Sequence, residues 1–178
     1  MATLKLGSTT AMTESGGVVT FPTASSTIAY PNGQQIQVEH LTTDSTYSRS
    51  TNSWGEIGLS DSITPRTTTS KIRVQLSSMA SCASNVWWML GLAYSGNSIT
   101  NGTLGDDDTT PLVRRNPTFA STIAVGVSVD VILLLNQSNT TDAITFTWKL
   151  HGQGSTIYLG SRTGTDQHTM MTLTEIAQ

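Results

Sequence analysis

Charged side chains are scarce in this chain of 178 residues: they make up 12% of it, with nine Lys and Arg against twelve Asp and Glu. Soluble domains ordinarily carry about twice that charged fraction. The cations are scattered, and Arg114-Arg115 is their only adjacent pair. Because a surface that binds nucleic-acid phosphates needs a basic patch, we expect no nucleic-acid partner.

Cysteine and long apolar segments are also nearly missing. The single cysteine, Cys82, excludes an intrachain disulfide and a cysteine-based zinc site. The N-terminal residues lack the continuous apolar stretch of a secretion signal. The longest near-apolar run, Val131 to Leu135, is far too short to cross a bilayer. We therefore expect a soluble protein with no membrane partner and no export signal.

Helical periodicity is absent, whereas hydroxyl-bearing and β-branched residues dominate. The chain has 31 Thr, 22 Ser and 15 Gly, and threonine favours strands while serine and glycine favour turns. Apolar and polar residues alternate from Lys71 to Leu76 and from Ile144 to Leu150, the pattern of strands with one buried face. About nine such strands predict an all-β protein, with a jelly-roll-like two-sheet sandwich over residues 36–178.

Two predicted strands are apolar on both faces, from Val86 to Tyr94 and from Val131 to Leu135. Each sheet of a sandwich has only one inner face. The second apolar face is therefore covered either by a loop of the same chain or by another subunit. The interpretation that we favour is a subunit interface. The candidate interface residues are Trp87, Met89, Ile132 and Leu134.

Residues 1–35 differ from the rest because short apolar patches alternate there with polar linkers, which leaves too little apolar surface for a separate core. We interpret this segment as an extended N-terminal arm that adds strands to a neighbouring protein. A flexible tail is the alternative. The candidate anchors of the arm are Leu4, Leu6, Val18, Val19 and Phe21.

No catalytic constellation is visible. The three histidines, His40, His151 and His168, fall in or beside predicted strands, and none stands at metal-site spacing from another. No nucleophile elbow, phosphate-binding loop or carboxylate pair is recognisable. We predict that the protein is not an enzyme and uses no cofactor and no metal.

Two further features have both a binding interpretation and a simpler one. The acidic cluster Asp106 to Asp108 has ligands for calcium, but it lacks the alternate spacing of a calcium-binding loop, which favours a solvated loop tip. The four tryptophans, Trp54, Trp87, Trp88 and Trp148, are candidates for stacking on sugars. Their places in alternating strands favour core or interface positions.

Three segments carry a family resemblance: Trp54-Gly-Glu-Ile-Gly-Leu, Ser62-Ile-Thr-Pro-Arg-Thr-Thr-Thr-Ser-Lys-Ile-Arg-Val and Thr169-Met-Met-Thr-Leu-Thr-Glu-Ile-Ala. With them, residues 36–178 resemble the small jelly-roll structural proteins of tailed bacteriophages, those of cyanophages in particular. In that family a Thr-, Pro- and Ser-rich turn leads into a Ser-Lys-Ile-x-Val strand. The last segment is similar to the family's closing strand. The resemblance implies a homotrimer on the virion, as a tail-fibre tip or as head decoration, and no catalytic residues.

The short segment before the main domain decides between these two places. A tail fibre commonly has a long shaft or a tail-docking domain before its tip, whereas an arm is suited to clamping capsid subunits. We therefore expect a trimeric capsid cement (decoration) protein that assembles in the host cytoplasm, binds the major capsid protein at the head surface and stabilises the lattice. The alternative is a receptor-binding tail-fibre tip that contacts a host-surface glycan.

Overall fold

The computed structural model describes residues 2–6, 9–15, 18–20, 31–82, 86–106, 110–115, 123–135, 137–138, 142–152, 156–160 and 168–178. All secondary-structure elements in these ranges are β-strands, which confirms the all-β prediction. Over the same residues, no helix has the length and apolar character needed to cross a membrane. The chain divides into two compact units, Met1–Tyr30 and Pro31–Gln178.

The first unit is a small antiparallel sheet. Its strands are β1 (Ala2–Leu6), β2 (Thr9–Ser15) and β3 (Val18–Thr20), paired in the order β1-β2-β3. The segment predicted to be extended therefore pairs with itself, because a ladder satisfies its backbone groups where little apolar surface is available. Of the predicted anchors, Leu4 and Leu6 lie in β1, Val18 and Val19 lie in β3, and Phe21 lies outside the described residues. Their contact with a capsid stays a prediction.

The second unit contains two antiparallel sheets. Its described strands are β4 (Gln35–Thr43), β5 (Tyr47–Arg49), β6 (Gly55–Ile63), β7 (Lys71–Cys82), β8 (Trp88–Ser95), β9 (Gly102–Leu104), β10 (Val113–Arg115), β11 (Ile123–Leu134), β12 (Ile144–Gly152), β13 (Ile157–Leu159) and β14 (Thr169–Ile176). Sheet I has the order β4-β14-β7-β13-β5, with β11 paired to β7. Sheet II has the order β10-β8-β12-β6, with β9 paired to β8.

Strand β7 is the centre of sheet I. Strand β11 pairs with it along residues 71–82, whereas β14 pairs with residues 71–77 and β13 with residues 80–82. Because β11 occupies one side of β7 over its whole length, β14 and β13 share the other side. Strand β11 therefore forms one edge of sheet I, and β4 forms the opposite edge beside β14.

One hydrophobic core lies between the two sheets, as in a β-sandwich. Sheet I contributes Val74 and Leu173, and sheet II contributes Trp88, Phe146 and Trp148, all without exposed surface. The alternation predicted for the strands around residues 71–76 and 144–150 is confirmed by their burial pattern. Burying large aromatic side chains stabilises a core through the wide apolar area that they remove from water.

The structure departs from the predicted strands at several points. The apolar segment from Val131 to Leu135 lies at the end of a longer strand, β11, which runs unbroken across Gly126 because Gly126 continues the ladder opposite Met79. Strands β5, β9 and β10 have only three residues each, too few to show alternation, and were not predicted. In β6, Gly58 adopts a φ of 80° where the register with β12 shifts, and the resulting bulge precedes the fully buried Leu59.

Candidate functional site

Large apolar side chains are exposed on the outer face of sheet I. Ile132 and Leu134 on β11 are 57% and 53% exposed, Val38 on β4 is 47% exposed, and Met170 on β14 is 42% exposed. We call Ile132 and Leu134 the β11 patch. Both were predicted at a subunit interface, and the single chain leaves both open to solvent. Their place in an interface stays a prediction.

Strand β11 is an edge strand without the usual protection. Its twelve residues pair with β7 without a register shift, and no other described strand pairs with it. It contains no proline, and its one charged residue is Asp130. Unpaired N–H and C=O groups along an edge accept another strand, so proteins commonly protect edges with charges, prolines or bulges. The opposite edge, β4, has such protection in the exposed Glu39 and His40.

The charge of Asp130 is neutralised within sheet I. Arg73 Nε donates to Asp130 Oδ1 at 2.8 Å, and a second guanidinium nitrogen donates to Oδ2, so the contact is bidentate. The hydrogen bond from Arg73 holds the pKa of Asp130 below its ordinary value, and the same bond raises the pKa of Arg73. Arg73 therefore balances the one charge of β11, while the Asp130 carboxylate stays 44% exposed to an approaching chain.

A groove of about 470 Å³ opens beside β11. Ser128 and Gly126 line it from β11, Met79 from β7 and Arg115 from β10. A Cβ atom at Gly126 would meet only the Met79 sulfur, at 4.0 Å, so the space above this glycine is open. No ion pair joins Arg115 to another described residue. The groove therefore combines an open floor with the positive charge of Arg115.

The second apolar face of β8 is covered by the chain itself. Met89 lies between Arg114 of β10 and His151 of β12 in the ladder and has no exposed surface. Trp87 is half-buried against His151. Cover by the same chain, the alternative to an interface, therefore accounts for the burial of Met89. This residue offers no exposed surface to another subunit.

The segment after β9 crosses the same face at Gly91. A Cβ atom there would lie 2.7 Å from the carbonyl oxygen of Gly105, so the approach requires glycine. Beyond the crossing, Asp106 accepts hydrogen bonds from Lys149 Nζ and from Thr103 Oγ1, each at 2.8 Å. Lys149 first and Thr103 second lower the pKa of Asp106. The other two aspartates of the acidic cluster, Asp107 and Asp108, lie outside the described residues, so its interpretation as a solvated loop tip stays a prediction.

A group of rings and one cation gathers on sheet II around His151, and we call it the His151 cluster. Trp87 stacks on His151 with 5.0 Å between centroids and 10° between planes. Trp54 lies 5.5 Å from His151 at 60°, and the Arg114 guanidinium lies 5.8 Å from the Trp87 centroid. The sequence did not predict this cluster because its members lie on four separate segments. The Trp87-Trp88 pair was the available signal, since neighbours in a strand point to opposite faces.

A second groove, of about 440 Å³, also lies on sheet II. Glu56, Tyr94, Asn101, Thr103 and Thr147 line it. Carboxylate, amide and hydroxyl groups that converge beside an aromatic ring suit a polar small molecule such as a sugar.

A buried carboxylate holds the turn between β6 and β7. Glu175 on β14 has no exposed surface, and its Oε1 accepts hydrogen bonds from Arg66 N at 2.8 Å, Thr67 N at 3.1 Å and Ser70 Oγ at 2.6 Å. The segment from Ser62 to Val74 and the segment from Thr169 to Ala177 therefore meet in this turn. All of these contacts satisfy backbone and hydroxyl groups, so the arrangement is structural.

The three histidines do not form a reactive site with one another. His40 contacts threonine hydroxyls on β4 and β14, His151 belongs to the cluster just described, and His168 pairs with the exposed Asp44. In the described ranges, no group of three His, Cys, Asp or Glu side chains is placed to hold a metal ion.

Comparison with protein-family models and with curated proteins finds no match for this chain.

Proposed function

We propose that the protein is a bacteriophage virion structural protein, most specifically a capsid cement (decoration) protein that binds the head surface and stabilises the capsid lattice. In this proposal the second unit is a jelly roll, identical chains associate as a homotrimer, and the major capsid protein is the partner. The resemblance of residues 36–178 to phage jelly-roll proteins supports it. The structural observation that carries it is the exposed β11 patch on an unprotected edge strand.

The surface chemistry of the second unit suits assembly. Asp130 and Asp106 are each paired with a cation within the chain, and charged residues are few beside the many threonines and serines. Contiguous exposed apolar side chains mark contact sites in soluble proteins. Symmetric association of identical chains buries such a surface once for every copy. A protein that contributes many weak, neutral contacts is suited to a regular lattice.

Stabilisation of a capsid would come from added buried area. Each Å² of apolar surface removed from water contributes about 25 cal/mol before the costs of ordering and immobilisation. A chain that contacts two capsid subunits opposes their separation under the pressure of packaged DNA. The first unit, with Leu4, Leu6, Val18 and Val19, is the proposed second contact to the capsid.

The copy number of this protein in purified virions, measured against the major capsid protein by quantitative mass spectrometry, tests the proposal. We expect a number comparable to that of the capsid protein, because only the head lattice offers so many sites. Heads that lack the protein should lose their DNA at a lower temperature, and adding the full chain back should restore the wild-type temperature. Absence from virions would refute a virion role altogether.

A receptor-binding tail-fibre tip is the second candidate function, and the groove of about 440 Å³ on sheet II favours it. The groove and the His151 cluster offer polar groups and rings for a host-surface glycan. This candidate predicts a copy number of a few per cent of the capsid protein. It also predicts that the purified chain binds host cells and competes with phage adsorption. Failure of the chain both to bind and to compete would refute it.

A further inference from the structure

We propose that two copies of this chain join edge to edge through β11, antiparallel across a two-fold axis at Val129, so that sheet I continues from one copy into the next. The proposal goes beyond the virion role and assigns the β11 patch to a two-fold contact. The three-fold contact of a trimer would then use another surface, and the subunit contact expected at Ile132 and Leu134 would be this two-fold one instead. Its test needs only the purified chain, so either proposal can fail without the other.

The backbone of the edge strand β11 indicates that the group which binds there is another β-strand. The outward N–H and C=O groups of β11 have no partner strand among the described residues, and pairing with a strand satisfies them at regular spacing. No register shift, proline or unpaired charge on β11 opposes this pairing. Strand β4 at the other edge carries Glu39 and His40, so β11 is the less protected of these two long edge strands.

The residues of β11 are complementary to themselves in one register. Residues directly opposite each other in an antiparallel pair point to the same face. With Val129 on the axis, residues 124–134 overlap. In this register Ile132 lies opposite Gly126 of the second copy, and Asp130 lies opposite Ser128. A pairing centred on Asp130 would instead place two carboxylates face to face, which is unfavourable.

In this register the β11 patch of the second copy packs into the groove beside β11. Gly126, opposite the incoming Ile132, has open space up to the Met79 sulfur. Arg115 lines the same groove beside Ser128, the position that Asp130 of the second copy would face. Strand β11 and the groove beside it therefore supply both the exposed Ile132 and the open space above Gly126. They also supply the opposite charges of Asp130 and Arg115. An isologous contact requires such an arrangement, because each copy supplies both halves.

The decisive variants are Ser128→Asp and Ser128→Lys. Ser128 is exposed, so both substitutions leave the single chain's core intact. Two-fold symmetry places residue 128 opposite Asp130 twice, which gives two like-charge pairs in the first variant and two opposite-charge pairs in the second. We expect Ser128→Asp to raise the dissociation constant of the dimer by about tenfold or more relative to Ser128→Lys. The two variants differ by two repulsive cross-strand charge pairs against two attractive ones, and the free energies of these pairs together account for a change of that size. Ser60→Asp, an equally exposed change on β6, is the matched control and should associate as the wild type does.

Mass photometry and sedimentation equilibrium of the full chain give the readout, with circular dichroism to verify folding of each variant. We expect an even number of wild-type chains: two, or six if three-fold contacts also form. Hydrogen exchange in residues 124–134 should slow as the protein concentration rises. A wild-type monomer or lone trimer would overturn the proposal. Equal association of the two Ser128 variants, or exchange independent of concentration, would overturn it as well.

Discussion

Replacing Glu175 by glutamine should destabilise the fold, although the two side chains have nearly the same size. The carboxylate is fully buried and its Oε1 accepts three hydrogen bonds from the turn between β6 and β7. Its Oε2 has no hydrogen-bond partner among the described residues. Glutamine therefore weakens the three bonds by removing the charge, and it places an amide donor where no acceptor is available. If the amide turns over, the NH₂ group instead faces the three donors.

The size of the effect follows from the bonds that change. A hydrogen bond to a charged group contributes about 1.5–3 kcal/mol and a neutral one about 1 kcal/mol. Three conversions give a loss of about 3 kcal/mol, reduced to about 2 kcal/mol because a neutral amide is less costly to bury than a carboxylate. Ser70→Ala removes one of the three bonds and also the hydrogen bond between Ser70 Oγ and Thr67 Oγ1, so it should cost about 2–4 kcal/mol. Both losses are smaller than the stability of about 5–15 kcal/mol typical of a domain, so both variants should fold.

Urea unfolding measures these differences, with tryptophan fluorescence as the signal because Trp88 and Trp148 are fully buried. All proteins are compared at one concentration, since association contributes to apparent stability. The dependence on urea should keep its slope while the midpoint falls. Glu39→Gln on the neighbouring strand β4 is the control: its carboxylate is exposed, and its removal should change the free energy of unfolding by less than about 0.5 kcal/mol.

The reasoning fails if Glu175→Gln unfolds at the same urea concentration as Glu39→Gln. That result would mean that the charge of Glu175 does not hold the turn.

Two further predictions concern titratable groups. The lowered pKa of Asp106 means that its pair with Lys149 stabilises the fold above the ordinary aspartate pKa, and that the contribution is lost as the pH falls through the lowered value. The stability difference between wild type and Asp106→Asn should therefore shrink on acidification in urea titrations, and a constant difference would contradict the pairing. Burial raises the pKa of Cys82, so its thiol should react with a disulfide reagent far more slowly in the native protein than in urea. Equal rates would show that Cys82 is accessible.

The strands with one buried face were predictable because apolar and polar residues alternate along them, and the apolar residues lie on the buried side of the sheet. The segment from Lys71 to Leu76 and the segment from Ile144 to Leu150 show this alternation in sequence and in burial. The three-residue strands gave no periodic signal. The N-terminal segment was predicted as an arm because the sequence shows how little it can bury, and its pairing into a sheet depends on backbone hydrogen bonds that no side-chain pattern records.

The two strands that are apolar on both faces show what the sequence could not predict, namely which of these faces the chain itself covers. The sequence indicated that Trp87, Met89, Ile132 and Leu134 all lie on a second apolar face, and it left open what covers them. Met89 is covered by its own chain, whereas Ile132 and Leu134 are exposed on an edge strand. Nothing in the local pattern distinguishes these outcomes, because both segments are uncharged and apolar on both faces.

Composition and alternation by themselves determined that this chain forms β-sheets around one apolar core, since those properties depend on each residue and its near neighbours. Only the tertiary structure decided which strand lies at an edge, where the loop after β9 crosses sheet II, and that Trp54, Trp87, Arg114 and His151 meet. Those outcomes depend on the order in which distant strands pair. That order is set by the free energy of the whole sandwich, to which every long-range contact contributes at once.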